Sequence, residues 1–289
     1  MGDRPQKAGR PYHGSRPGQV TKSVSWNGIC KKGEHDMDTW KASLSILQNP
    51  AVMLYLLKGV AFTLVISVVA VALGLLLGSV LALARNYCNR GPMRVCKWLA
   101  VGYIELFRNT PLLLWIFICL VFFPVPDVLS RRMFGLSSVE VKLMFKAAVA
   151  LILFTSSVIA EIVRGGLNAV SQGQFEAGHS QGFSTVQIMV YIVLPQAYRS
   201  IIPTLLSQVI TTIKDSSYLA NVAVIELMAR IKQIMSAAGQ YNGLGTTNVS
   251  DVFVLFGFAC VIYFVINFAL SCLVRYVQKH KFQARPSAA

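Results

Sequence analysis

Charge is what this sequence has least of. Asp, Glu, Lys and Arg make up 13% of its 289 residues, about half the share a soluble domain carries. The shortage is concentrated: residues 59–84 and 252–274 contain no charged side chain at all. Each run exceeds the roughly 20 residues that take a helix across the hydrocarbon core. A soluble globular protein is excluded, and the chain reads as an integral membrane protein.

Other absences remove function classes. There is no G-x4-G-K-[ST] and no G-K dipeptide, so ATP cannot be held by a phosphate loop of this chain. His13, His35, His179 and His280 are scattered, without an H-E-x-x-H pair, and no G-x-S-x-G nucleophile turn occurs, so zinc and serine hydrolase chemistry have no support. The reading is therefore no enzyme, with no cofactor or metal bound by this chain. The cysteines (30, 88, 96, 119, 260 and 272) form no C-x-x-C pair. Cys119, Cys260 and Cys272 fall inside apolar runs and read as small core residues. Residues 1–50 contain no apolar core that would make a signal peptide.

Acids are scarcer than bases, 12 against 27, which leaves a net charge of +15. The bases flank the apolar runs and fill the tails, with no aromatic-interleaved basic domain. They read as topology signals rather than as a nucleic-acid surface.

Five apolar spans follow from the pattern, at about 57–84, 98–123, 147–164, 197–213 and 252–276, so the expected fold is all-α. Residues 1–50 are basic and read as mostly disordered, with a short amphipathic approach over Trp40 to Leu47. Residues 51–280 form the membrane domain, and 281–289 a cytoplasmic tail. Gly74-x3-Gly78 in the first span has the small-residue spacing of close helix contact. The second span contains Glu105-Leu-Phe-Arg108-Asn109-Thr-Pro111, with a kink expected at the proline. Residues 124–146 read as an extracytoplasmic loop. Glu161 and Arg164, three apart at the end of the third span, meet on one helix face. Residues 221–236 read as a short amphipathic helix with Glu226, Arg230 and Lys232 on its polar side. Arginines at 85–94 and the basic tail mark the cytoplasmic side, so five spans put the N-terminus outside and the C-terminus inside.

Between the third and fourth spans, at about 171–195, lies a stretch too polar to cross a bilayer. Glu176-Ala177-Gly178 opens a short helix, Gly182 ends it, and Ile192-x-Leu194-Pro195 leads into the next span. The spacing E-A-A-x3-G-x9-I-x-L-P resembles the coupling-loop signature of permease subunits of ATP-driven importers, with Gly178 where the family usually has alanine. E-L-F-R-N-T-P, A-E-I-V-R-G-G and Lys214-Asp215-Ser-Ser are similar to strings of the polar amino acid branch, and I-V-L-P-Q-A-Y-R to its glutamate/aspartate/glutamine group.

The resemblance covers about residues 52–280 and implies the permease fold of a type I ABC importer. It implies a transport subunit in the bacterial cytoplasmic membrane, paired with a second permease, served by separate ATPase subunits and supplied by an extracytoplasmic substrate-binding protein. Glu176, Ala177, Gly178, Gly182, Leu194 and Pro195 would couple to the ATPase. Glu105, Arg108, Asn109, Glu161, Arg164, Lys214 and Asp215 are candidates for the substrate path, because a zwitterion needs both signs of charge beside it. Each has the alternative reading of a structural ion pair or helix-end bond. The alternative function is a self-sufficient secondary transporter or channel, for which the chain shows no internal repeat.

Overall fold

The computed structural model describes residues 26–88, 91–130 and 135–282. The expectations for residues 1–25 and for the end of the tail, 283–289, lie outside these. The chain divides into two compact units, Met1–Thr39 and Trp40–Ala289. Of the first, the described part is the opening of helix α1 (Trp26–Gln48), a stretch expected to lack regular structure. The residues there form a helix although their composition is that of a polar segment.

The second unit is helical, with no strand among the described residues. Helix α2 (Pro50–Tyr87) starts on the Asn49 side chain, which accepts from the Ala51 N–H, with Pro50 at its first turn. It extends the expected first span at both ends. Its buried face carries small residues, among them Gly59, Thr63, Ser67, Ala70, Gly74 and Gly78. The opposite face (Val65, Val68, Leu76, Val80) is exposed, as suits a helix with lipid on one side. A Cβ on Gly78 would lie 2.7 Å from the Ser156 carbonyl oxygen, so the expected close contact is made against helix α5 (Ser138–Asn168).

The second span is a correction. Helices α3 (Arg94–Arg108) and α4 (Leu112–Phe122) are bent by 112°, so the span is broken rather than kinked. Thr110 donates to the Leu106 carbonyl and Asn109 to that of Glu105, capping the end of α3, while Pro111 is extended. Phe107 then stacks on Trp115 across the bend, 4.1 Å between centroids.

Helix α5 begins nine residues earlier than expected, which shortens the loop before it. The cause is a capping box in which Ser137 and Glu140 bond each other's backbone N–H. Next come α6 (Gln172–Ser180), α7 (Thr185–Gln187), a π-helical stretch Ile188–Val193 and α8 (Leu194–Asp215). A 3-10 segment Ser216–Val222 leads to α9 (Leu227–Ser236), α10 (Ala238–Tyr241) and α11 (Val249–Phe282). Among the described residues, four stretches are long and apolar enough to span a bilayer, and the bent pair would make a fifth. Cys119 is buried as expected, but Cys260 and Cys272 are exposed. They lie on exposed faces of α11, and an apolar run does not say which of its sides meets protein.

Candidate functional site

Two constellations stand at the end of the bundle where α5 gives way to α6. The first is α6 itself. The helix closes by a Schellman arrangement: the Phe183 N–H donates to the Gly178 carbonyl and the Gly182 N–H to that of His179. Gly182 sits at φ +81°, in the left-handed region, so a residue without Cβ is required there. Ser184 and Gln187 form a second capping box that starts the following helix at once. The chain therefore turns back on itself in a few residues.

One face of α6 is held down. Phe175 packs on the cluster of Ile188, Val193 and Ala197, and Gln196 donates to Gln174 at 3.0 Å. Gly178 is buried, and a Cβ there would lie 2.7 Å from Ile188 Cγ1. The glycine that departs from the family spacing thus lets α6 lie close on the π-helical stretch. The other face, with Glu176, Ala177 and His179, is exposed. Leu194 and Pro195 do not open the next span, which is helical from Thr185 onward. Instead the stretch preceding Pro195 is π-helical, a winding suited to a residue without an N–H and with a ring that crowds the carbonyl four residues back.

The second constellation is a charge cluster. Glu161 is the hub, with its side chain 15% exposed. It accepts from Arg85 of α2, from Arg164 at 2.8 Å through Nε and Nη2, and has Arg108 Nη1 at 3.9 Å. Arg85 also reaches Glu105 at 3.5 Å, and Asn109 donates to that carboxylate at 3.1 Å. Three guanidinium groups meet two carboxylates, so the cluster keeps one positive charge in excess. Five of the seven expected path residues are collected here. Lys214 and Asp215 are not: they end α8, about 30 Å along the helix from Leu194 at 1.5 Å per residue.

Arg85 was missed as a site residue, since an arginine following an apolar run reads as a topology mark. Missed too was a buried polar group around α9. Glu226 and Arg230, expected on a polar helix face, are buried at 0% and 4% exposure. Glu226 caps α9 through the Ala229 N–H (2.7 Å) and accepts from Tyr263 (3.1 Å) and Thr63 (3.4 Å). Arg230 donates to the Tyr55 carbonyl, lies over the Tyr55 ring and leaves its Nε without a partner among the described residues. The correction has a physical reason: α9 is wedged between α2 and α11, where Gly59 makes room for the Arg230 stem.

A polytopic helical membrane protein carrying a short polar helix clamped between two spans is the class that these features define. Residues 74–283 match the family model of the binding-protein-dependent transport system inner membrane component, and the chain belongs to that family. It is 36% identical over 223 residues to the probable glutamine ABC transporter permease protein GlnM of Bacillus subtilis, covering 77% of this chain and 91% of that one. It is 33% identical over 228 residues to the glutamate/aspartate import permease protein GltK of Escherichia coli, covering 78% and 92%. Among solved structures, a crystal structure of an amino acid ABC transporter with histidines aligns with a TM-score of 0.63 at 26% identity, covering 81% of this chain and 97% of that one. The all-α permease fold and the transport class expected from the sequence are thereby established, and the self-sufficient transporter is not favoured.

Proposed function

We propose that this chain is the membrane-spanning subunit of an ATP-binding-cassette importer that brings polar amino acids, of the glutamate/aspartate/glutamine group, across the bacterial cytoplasmic membrane. The relatives named for glutamine and for glutamate/aspartate cover most of the chain, which supports the substrate group. A second permease, same or homologous, completes the pore. Two ATPase subunits bind the cytoplasmic face and hold the ATP, and a binding protein delivers the amino acid outside. The N-terminus lies outside and the C-terminus inside.

The observation that carries this reading is the placement of α6. It is clamped beneath by Ile188, by the Gln174–Gln196 bond and by the Gly182 closure, while Glu176 and Ala177 face outward. A helix held in this way moves as one body with α5 and α8. When the ATPase subunits close, a docked α6 follows, and the spans follow α6. In this scheme Glu176 bonds the ATPase surface, Ala177 allows close approach, Gly178 and Gly182 fix the shape, and Leu194 and Pro195 fix the departure of α8. The substrate path takes in Glu105, Arg108, Asn109, Glu161 and Arg164 at one end and Lys214 and Asp215 toward the other. The excess positive charge of the cluster suits an amino-acid carboxylate.

The test is uptake of labelled glutamate and glutamine into proteoliposomes holding this chain with its ATPase and binding protein. Glu176→Lys and Gly182→Asp are expected to abolish ATP-dependent uptake with the spans still inserted. Uptake without the ATPase, or uptake indifferent to both substitutions, would overturn the reading.

A further inference from the structure

Helix α3 carries three faces rather than two. Ala100, Ile104 and Phe107 are buried against the bundle, and Tyr103 reaches α5, donating to the Leu153 carbonyl and bonding Ser156. At 3.6 residues per turn, Arg94, Lys97, Glu105 and Arg108 fall on a second stripe beside the first. The remaining side is apolar and exposed, with Val95, Trp98, Leu99 and Leu106. Trp98 and Leu99 keep 65% and 69% of their surface open.

A helix that crosses a bilayer has no use for a charged stripe running its full length. A helix lying in the plane of the surface has protein, water and lipid on three sides, and needs a face for each. The path of the chain agrees. Arg85 follows the uncharged run 59–84 of α2, which places it at one boundary of the hydrocarbon core. Helix α3 is tied to that level, because Glu105 reaches Arg85 and Arg108 reaches Glu161. Helix α4 packs along α5, with Ile116 and Cys119 in one cluster with Ala147, Ala150 and Leu151. The bend of 112° then turns α3 across that direction.

Charge selects what meets the apolar face. Arg85, Arg90, Arg94 and Lys97 are followed by no acid until Glu105, and Glu105 is held by Arg85 and Asn109. Arg94 is exposed and in no ion pair among the described residues. It adjoins Trp98, four residues on, along the helix surface. An acidic patch on a soluble partner would satisfy Arg94 but leave Val95, Trp98 and Leu99 facing water. A zwitterionic headgroup covers the apolar face but brings as much positive charge as negative.

We propose that α3 lies in the headgroup layer and binds an anionic phospholipid. The phosphate lies against Arg94 and Lys97, and the acyl chains run under Val95, Trp98 and Leu99. The site stands whatever the chain transports.

The test places the full-length chain in phosphatidylcholine vesicles with a fixed share of lipid brominated near the top of its acyl chains, either phosphatidylglycerol or phosphatidylcholine. Trp98 fluorescence is read as the difference between the chain and its Trp98→Phe variant. Brominated phosphatidylglycerol is expected to quench it more strongly than the same share of brominated phosphatidylcholine. Arg94→Gln, at an exposed position, should lower the apparent affinity for phosphatidylglycerol about fivefold. Quenching by brominated phosphatidylcholine should stay as it was, which shows that the helix still lies against lipid. Equal quenching by the two lipids would overturn the proposal, as would a preference indifferent to Arg94→Gln. So would loss of the preference on adding inorganic phosphate at constant ionic strength, which marks a site for free phosphate. Quenching by neither lipid would overturn it too, since a second copy or another protein then covers the face.

Discussion

The charge cluster makes a quantitative prediction, because its ion pairs differ in geometry while sharing one carboxylate. Arg85 bonds Glu161 directly, with side chains 22% and 15% exposed. Arg108 approaches the same oxygen only to 3.9 Å and is 42% exposed. A direct, largely desolvated pair in a membrane protein belongs near the top of the measured range for polar interactions in bilayers, about 1.5 kcal/mol. The longer, more exposed pair is screened by solvent and belongs at about 0.5 kcal/mol or below. Two double-mutant cycles separate them, one on Arg85→Met with Glu161→Gln and one on Arg108→Met with Glu161→Gln. Both would be followed by equilibrium unfolding of the full chain in mixed micelles. Methionine keeps the apolar stem, so the coupling energy reports the charge pair rather than lost packing. Glu161→Gln alone should cost about 2 kcal/mol, since three guanidinium groups then face only Glu105. Equal couplings in the two cycles, or a larger one for Arg108, would refute the reasoning that places Arg85 first.

Two further predictions concern packing. Gly78→Val should destabilise the chain by about 1–3 kcal/mol in the same assay, because the new Cβ meets the Ser156 carbonyl at 2.7 Å and backbone yields little; Gly102→Ala on α3, with nothing within 4 Å, should be neutral or stabilising by up to about 1 kcal/mol. Glu226→Ala should cost about 2 kcal/mol or more, since it uncaps α9 and leaves the half-buried Tyr263 and buried Thr63 hydroxyls without their acceptor. Glu226→Gln should cost less than Glu226→Ala, and the reverse order in thermal unfolding would show that the carboxylate is not the acceptor of this network.

What the sequence disclosed was whatever is written locally. Gly182 announces a left-handed helix end by its spacing from Glu176, and Gly74-x3-Gly78 announces a crossing, because each depends on a few neighbouring residues. Apolar runs gave the spans for the same reason. The break in the second span is local too, and it is stronger than a proline by itself implies. Pro111 alone permits a kink; Asn109 and Thr110, turning back on the carbonyls of Glu105 and Leu106, convert it into a bend of 112°. The burial of Glu226 and Arg230 could not be read locally. Their partners, Thr63, Tyr55 and Tyr263, belong to other helices, and helical periodicity assigns polar residues to water unless those partners are known. Arg85 fell between the two cases, since the same residue that marks sidedness also bonds the hub carboxylate of the cluster.

The two constellations are one mechanical object. Asn168 ends α5 only a few residues before α6 begins, and the Asn86 side chain of α2 donates to it at 2.9 Å. One turn of α5 earlier, Arg164 holds Glu161, and Glu161 holds Arg85. On the other side Gln174 of α6 accepts from Gln196 of α8, and Tyr198, two residues on, donates to Ser79 of α2 at 2.6 Å. A Cβ at Gly166 would fall 3.0 Å from the Ala197 carbonyl, so α5 and α8 cross in backbone contact. Packed interfaces of this kind shift as bodies rather than deform. A displacement of α6 would therefore be passed to α2, α5 and α8 through these contacts. The bend at Asn109–Pro111 brings α3 to the cluster through Arg108, at the longest of its contacts, so α3 is the helix least tightly tied to this hub.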